Sequence, residues 1–218
     1  MLSKRLTTIA KMVPSHKVVF DVGSDHALLP CYLIEEGISE LVYAGDNKEG
    51  PLNSAITNIK IHHLEDKVKT VLSDGLDKVS DDVEVVVIAG MGYHTATAIM
   101  DKADLSKYAL IIVQVNKNVD LLREYISSHN YLIVDEDVIF EDDKYYEIVA
   151  FKALGGKKLN YQEINFGPVL MKKGSDVFKD YLNYRYHSLK EVLRCVNNPS
   201  DERYKLLKEM ELLKEDIA

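Results

Sequence analysis

Over residues 1–154, short apolar runs that end in small or acidic residues alternate with stretches whose apolar positions recur every three to four residues. The runs read as strands and the spaced stretches as helices. Val18 to Val22 is the first run and closes on Gly23-Ser24-Asp25-His26-Ala27, where the chain turns into a helix. Leu41 to Gly45 ends in Asp46, Val68 to Leu72 in Ser73-Asp74-Gly75-Leu76, and Val83 to Ala89 in Gly90-Met91-Gly92. Tyr108 to Val115 supplies a fifth strand, followed by a helix carrying Val119, Leu122, Tyr125 and Ile126. Only Glu141-Asp142-Asp143-Lys144 separates Tyr131 to Phe140 from Tyr145 to Ala153, too short a link for a parallel crossover, so this pair predicts an antiparallel hairpin. Ahead of the first strand, Ser3 to Val13 places Leu6, Ile9, Ala10 and Val13 on one helical face. The pattern predicts an α/β fold: a mostly parallel seven-stranded sheet with helices on both faces, ending in the hairpin.

After Gly155-Gly156-Lys157-Lys158 the pattern is helical only. Phe178, Tyr181, Leu182, Arg185, Tyr186, Leu189 and Leu193 form one stripe, and Tyr204, Leu207, Met210, Leu213 and Ile217 another, with a break at Asn197-Asn198-Pro199-Ser200. Two long amphipathic helices packed as an antiparallel hairpin are expected. The division is therefore residues 1–154 for the sheet and 155–218 for the helices.

Charge separates the same two parts. The 218 residues carry a formal net charge of −8, made of −10 over residues 1–154 and +2 over 155–218. A basic appendage on an acidic sheet suggests a polyanionic partner held by the appendage, while a solvated helical face explains the charge equally well. Cys31 and Cys195 lie far apart with no CxxC, so reduced thiols are expected rather than a disulfide or a metal site. No apolar run approaches the length of a membrane span. A cytoplasmic protein without metal is expected, with a monomer and an oligomer both open.

The strand ends carry the candidate chemistry. In open α/β sheets ligands bind beyond the carboxyl ends of the strands, where amide groups and helix N-termini point outward and a glycine permits close approach. Asp46 follows Gly23 by 23 residues, the spacing of a ribose-binding carboxylate. A plain turn accounts for any one junction; four in order make a nucleotide pocket the better reading.

The hairpin at the sheet's end resembles the Rossmann-like class I S-adenosylmethionine-dependent methyltransferase fold. More closely, Ser3-Lys4-Arg5-Leu6, Asp21-Val22-Gly23-Ser24-Asp25-His26-Ala27 with Leu29-Pro30, Ala44-Gly45-Asp46, Asp74-Gly75-Leu76, Ile88-Ala89-Gly90-Met91-Gly92, Tyr146-Glu147 and Phe166-Gly167-Pro168 resemble the bacterial tRNA (adenine(22)-N(1))-methyltransferase family, TrmK. The resemblance implies a catalytic domain followed by a helical coiled-coil domain, S-adenosyl-L-methionine as cofactor and tRNA as partner. It places the cofactor on Gly23, Ser24, Asp46, Asn47, Asp74, Gly75, Ala89 and Gly90. Asp25 is the candidate carboxylate for the cationic product, with a helix N-cap as its plainer role. His26 and Asn116 are candidate base contacts, each equally suited to a structural role. Lys4, Arg5, Lys172, Lys173 and Arg185 are candidate phosphate contacts. The chain departs from the family pattern at Val115, where the family has proline, at Tyr93, where it has glycine, and at Asp46, where glutamate is frequent. A small-molecule methyltransferase on the same fold and a non-catalytic nucleotide-binding module remain alternatives.

Overall fold

A computed structural model describes residues 2–195 and 202–216. The first strand, β1 (Val19–Val22), is buried at every position, as a strand covered on both faces must be. Around it lie β2 (Val42–Asp46), β3 (Val68–Leu72), β4 (Val85–Met91), β5 (Leu110–Val115), β6 (Tyr131–Glu141) and β7 (Lys144–Gly155). They form one seven-stranded sheet in the order β3-β2-β1-β4-β5-β7-β6. The first five are parallel and β7 runs antiparallel to β5 and β6. The order reverses between β1 and β4, and at such a switch point the strand ends open a crevice.

The hairpin turn is tighter than the sequence reading had it: Glu141 and Lys144 pair, leaving Asp142 and Asp143 at φ 50° and 57°. A two-residue turn with both residues left-handed matches the twist of its strands, and aspartate tolerates that conformation.

Helices cover both faces. On one, α1 (Lys4–Met12), α2 (Leu28–Glu35) and α3 (Glu49–Ile61) bury Ile9, Leu33 and Ala55 against Val42, Val85 and Val87. On the other, α4 (Tyr93–Asp101) and α5 (Val119–Ser128) bury Met100, Leu122 and Ile126 against Val86, Ile88 and Phe151. Ser3 caps α1 by accepting from the Leu6 amide, and Lys4 and Arg5 donate their amides to Glu141 at the hairpin tip.

Beyond Gly155 the expectation of two long helices alone is corrected. Two short helices, α6 (Tyr161–Phe166) and α7 (Pro168–Lys173), come first. Asn160 and Glu163 form a capping box that starts α6, Gly167 at φ 83° breaks the chain before Pro168, and Gly174 at φ 51° ends α7. The long helices α8 (Asp176–Leu193) and α9 (Glu202–Asp216) follow. Tyr186 reaches Glu211 and Tyr204 reaches the Leu193 carbonyl, which makes the pair antiparallel. The predicted break at Asn197 to Ser200 and the stripe residue Ile217 lie outside the described residues.

These helices pack directly on β6, with Phe166, Leu170, Phe178 and Leu182 against Val138. Beneath them Arg123, fully buried, donates to Glu136 at 2.7 Å and to Glu147 at 2.6 Å. Tyr181 of α8 donates to Glu147, and the amide of Val169 in α7 donates to Glu136. Every member is hydrogen-bonded, as buried charge requires.

Candidate active site

A cleft of about 540 Å³ opens at the carboxyl ends of β1, β2 and β3 and is walled by α4. Its lining includes Val22 and Gly23 after β1, Asp46 and Asn47 after β2, Asp74 and Gly75 after β3, and the apolar Met91, Ala98 and Ile99. Gly23 sits at φ 72°, and a Cβ there would come within 2.6 Å of the Met91 Cε. Gly75, at φ 60°, backs onto Ile99, which a Cβ would meet at 2.9 Å. Both positions favour glycine for conformation, and Gly75 also for space, because Ile99 is branched where the end of Met91 can move. Carboxylates together with thioether and aliphatic side chains in the lining match the ribose and ring of a nucleoside.

Five of the eight expected cofactor residues, Gly23, Asp46, Asn47, Asp74 and Gly75, line this cleft. Asp46 Oδ1 accepts from the Lys48 amide at 2.9 Å, which orients the carboxylate. Asp74 is held by Lys102 at 3.0 Å, and that carboxylate raises the Lys102 pKa. Ser24 is buried behind Gly23, Ala89 pairs with Gln114 inside the sheet, and Gly90 turns toward Arg5, so these three stand off the cavity wall. His94 and Thr95 of α4 and Lys102, which caps its C-terminal end, line the cleft and were absent from the sequence-based set. Two adjacent and the third two turns on, they carry no signal that distinguishes them from a solvated face.

Asp25 and His26 sit on a single turn of 3-10 helix between β1 and α2. Their side chains approach to 3.5 Å and are 65% and 58% exposed. Neither this turn nor α2 takes a side-chain cap, so Asp25 does not serve as the helix cap that was its plainer alternative. His26 and Ala27 are both left-handed, at φ 58° and 48°, a conformation that costs side-chain-bearing residues free energy. Asn58 of α3 holds the turn by donating Nδ2 to the His26 carbonyl at 2.8 Å.

Asn116, just past β5, donates Nδ2 to the Gly90 carbonyl at 2.9 Å and accepts from Gln114 Nε2 at 3.4 Å. Its backbone amide bonds the carbonyl of Met91, which lines the cleft. Val115, where the family pattern has proline, is buried and pairs with Met91. Tyr93 opens α4 with its ring against His94.

Arg5 is not a surface hook. Its Nη1 donates to Gln114 Oε1 at 2.7 Å, and its guanidinium lies 5.7 Å over the Tyr146 ring. Close by, Asp21 in β1 is 8% exposed, and burial pushes its carboxyl up to about 7, with Ser24 and Arg5 partly opposing the rise. Among the other expected phosphate contacts, Arg185 donates to the Asn165 carbonyl between the rings of Phe166 and Tyr181. Lys173 bonds Asp135 and the Glu136 carbonyl, while Lys4 and Lys172 are exposed.

The family model for a methyltransferase domain matches residues 2–149. The tRNA (adenine(22)-N(1))-methyltransferase of Bacillus subtilis strain 168 is 31% identical, over 99% of this chain and 97% of its own length. The chain belongs to that family. A Streptococcus pneumoniae protein solved in complex with S-adenosyl-L-methionine superposes with a TM-score of 0.86 at 34% identity, each chain covered over its full length. Mycoplasma capricolum TrmK, solved with S-adenosylhomocysteine, superposes with a TM-score of 0.83 at 30% identity, over 100% of this chain and 98% of that one. Membership accounts for the strand order and the hairpin, and gives S-adenosylmethionine as the cofactor. Among the described residues no helix is long and apolar enough to cross a membrane, and both cysteines are unpaired.

Proposed function

We propose that this protein transfers a methyl group from S-adenosylmethionine to N1 of adenine 22 in tRNA. The observation that carries the reading is a nucleoside-sized cleft at the carboxyl ends of the strands, in a chain related over its whole length to the B. subtilis enzyme; Asp25 and Asn116 follow β1 and β5 at the same end of the sheet, outside the residues that line the cleft. Bound in the cleft, S-adenosylmethionine supplies an activated methyl. Gly23, Asp46, Asn47, Asp74 and Gly75 hold it, Asp46 accepting from the ribose, while Ser24, Ala89 and Gly90 support the strand ends behind.

What remains for the protein is alignment. Adenine N1 has a lone pair in the neutral base, so acceleration comes from fixing nucleophile and methyl on one axis. N1 lies on the Watson–Crick edge, so the base must be unpaired or extruded to reach the cleft. Methylation leaves a cationic ring, and the exposed Asp25 carboxylate stabilises it, with His26 beside the base and Asn116 on its polar edge. Residues 155–218 take the tRNA body through phosphates, with Lys172 and Lys4 contributing exposed charge and Lys173 and Arg185 shaping the surface.

Incubating the protein with radiolabelled S-adenosylmethionine and unmodified tRNA, then mapping the labelled nucleoside, tests the assignment. Label in 1-methyladenosine at position 22 is expected. Label at another nucleoside, or transfer to a small molecule with none to tRNA, overturns it.

A further inference from the structure

Arg5 lies in the first turn of α1, whose Ile9 and Ala10 pack on the sheet, and its side chain ends at the tips of β4 and β5. Gln114, fully buried, is the atom-for-atom link. Two donors converge on its Oε1: Arg5 Nη1 at 2.7 Å and the Gly90 amide at 3.1 Å. With the oxygen so committed, the NH2 end of Gln114 must face the other way, toward Asn116 Oδ1 at 3.4 Å. Asn116 in turn must direct Nδ2 at the Gly90 carbonyl, which it meets at 2.9 Å. Turning the Asn116 amide over would set its oxygen against the Gly90 carbonyl and its NH2 against the Gln114 NH2. Both contacts would be repulsive, and Gln114, being buried, could not turn its NH2 to water to relieve its side.

An asparagine amide has two N–H groups and two lone pairs. Here one of each is spent, so one N–H and one lone pair are left for a ligand, at fixed places. The places matter to an adenine. A carbonyl oxygen offered to the exocyclic amine leaves the N1 lone pair available to attack. An N–H offered to N1 instead would occupy that lone pair.

We propose that Arg5 is a positioning residue for methyl transfer, fixing through Gln114 which way round the Asn116 amide faces the base. This rests on the reading of Asn116 as a base contact. Three further features suit the role. Glu141 binds the amides of Lys4 and Arg5 and so pins the first turn of α1 to the hairpin tip. The Tyr146 ring lies beneath the guanidinium, and Gly90, at φ 77°, has no Cβ to displace it, since one would lie 3.3 Å from Nη1.

The test compares turnover with binding in four variants of the full chain, with S-adenosylmethionine and tRNA affinities measured separately. Arg5→Met should lower kcat by about 10- to 100-fold, the range of one lost charge-assisted hydrogen bond, with both affinities unchanged. Arg5→Lys, which can still donate to Gln114, should recover part of the loss. Gln114→Glu keeps the partner of Arg5 but presents oxygen at both ends, so the Asn116 amide meets repulsion whichever way it faces; kcat should fall with both affinities unchanged. In an Asn116→Ala background, Arg5→Met should add no further loss, because the two act in series. Weakened tRNA binding with kcat intact in Arg5→Met would make Arg5 a phosphate contact and overturn the proposal. So would independent, multiplying losses, or wild-type turnover in Gln114→Glu. If Asn116→Ala alone keeps wild-type kcat, the base-contact reading of Asn116 fails by that result, and any loss in Arg5→Met then has another route.

Discussion

Asp21 makes the protein's stability depend on pH in a direction opposite to that of most carboxylates. Its carboxyl is buried in β1, and burial raises its pKa from 3.8 to about 7. An acid with a folded-state pKa above its unfolded value binds its proton more tightly when folded, so the folded state is favoured at low pH. Below about pH 4 the group costs nothing; from there to about pH 7 stability falls by about 1.4 kcal/mol per pH unit, levelling at roughly 4 kcal/mol. Asp21→Asn keeps the shape and removes the charge, so it should match the wild type near pH 4 and exceed it by a few kcal/mol at pH 8. Urea unfolding at both pH values, without S-adenosylmethionine so that ligand linkage does not intervene, gives the difference directly. Other titrating groups cancel between the two proteins. Parallel stability curves across that range would show that Asp21 ionises at no cost, and would refute burial as the dominant influence on it.

Asp25→Ala should lower kcat by roughly 100-fold with S-adenosylmethionine affinity retained, the size of a lost charge-stabilising group; near-wild-type turnover at saturating tRNA removes it from the chemistry. Asp46→Ala should weaken S-adenosylmethionine binding by about 1–3 kcal/mol in calorimetry, and unchanged affinity would take Asp46 out of the site. Gly167→Ala places a Cβ 2.8 Å from Arg123 Nη2 and from both Glu136 oxygens at φ 83°, whereas Gly155→Ala at φ 66° meets nothing within 4 Å. Denaturant titration should therefore show a loss of about 2–4 kcal/mol for the first and about 1 kcal/mol for the second, and equal losses would mean that backbone strain alone decides. Lys172→Glu should weaken all tRNAs alike, most at low salt; salt-independent weakening would argue against a phosphate contact.

The sheet was legible because its signal is local: each strand is an apolar run with its own terminator, and a four-residue gap can only be a hairpin. The cleft residues Gly23, Asp46, Asp74 and Gly75 were legible for the same reason, since a strand end and the turn after it are one stretch of sequence. What sequence reading missed depends on partners far along the chain. Arg5 in a Lys-Arg pair reads as surface, and Glu141 and Gln114, more than a hundred residues later, turn it inward. Arg123 lies on the flank of the apolar stripe of α5, four residues after Val119 and three before Ile126, where a charge reads as solvated, and Glu136 and Glu147 meet it inside. Arg185 likewise exchanges a solvated position for two aromatic rings. The short helices α6 and α7 were hidden by their length, two turns at most, below what periodicity resolves.

The buried Arg123 cluster turns the seam between sheet and helices into a fixed joint. Arg123, Glu136 and Glu147 all belong to the sheet part, and the helices close over them: Tyr181 donates to Glu147, the Val169 amide to Glu136, and Phe166, Leu170, Phe178 and Leu182 pack on Val138. Separating the two parts gives up these bonds and this apolar contact together, which opposes a swinging motion of the helices. On the proposed division of labour they and the cleft act as the two jaws of a gauge of set span: the RNA is gripped at one jaw and its base must fall at the other. Selection of one adenine among many then follows from distance along a rigid body. Its accuracy would be set by a packed seam that no nucleotide ever touches.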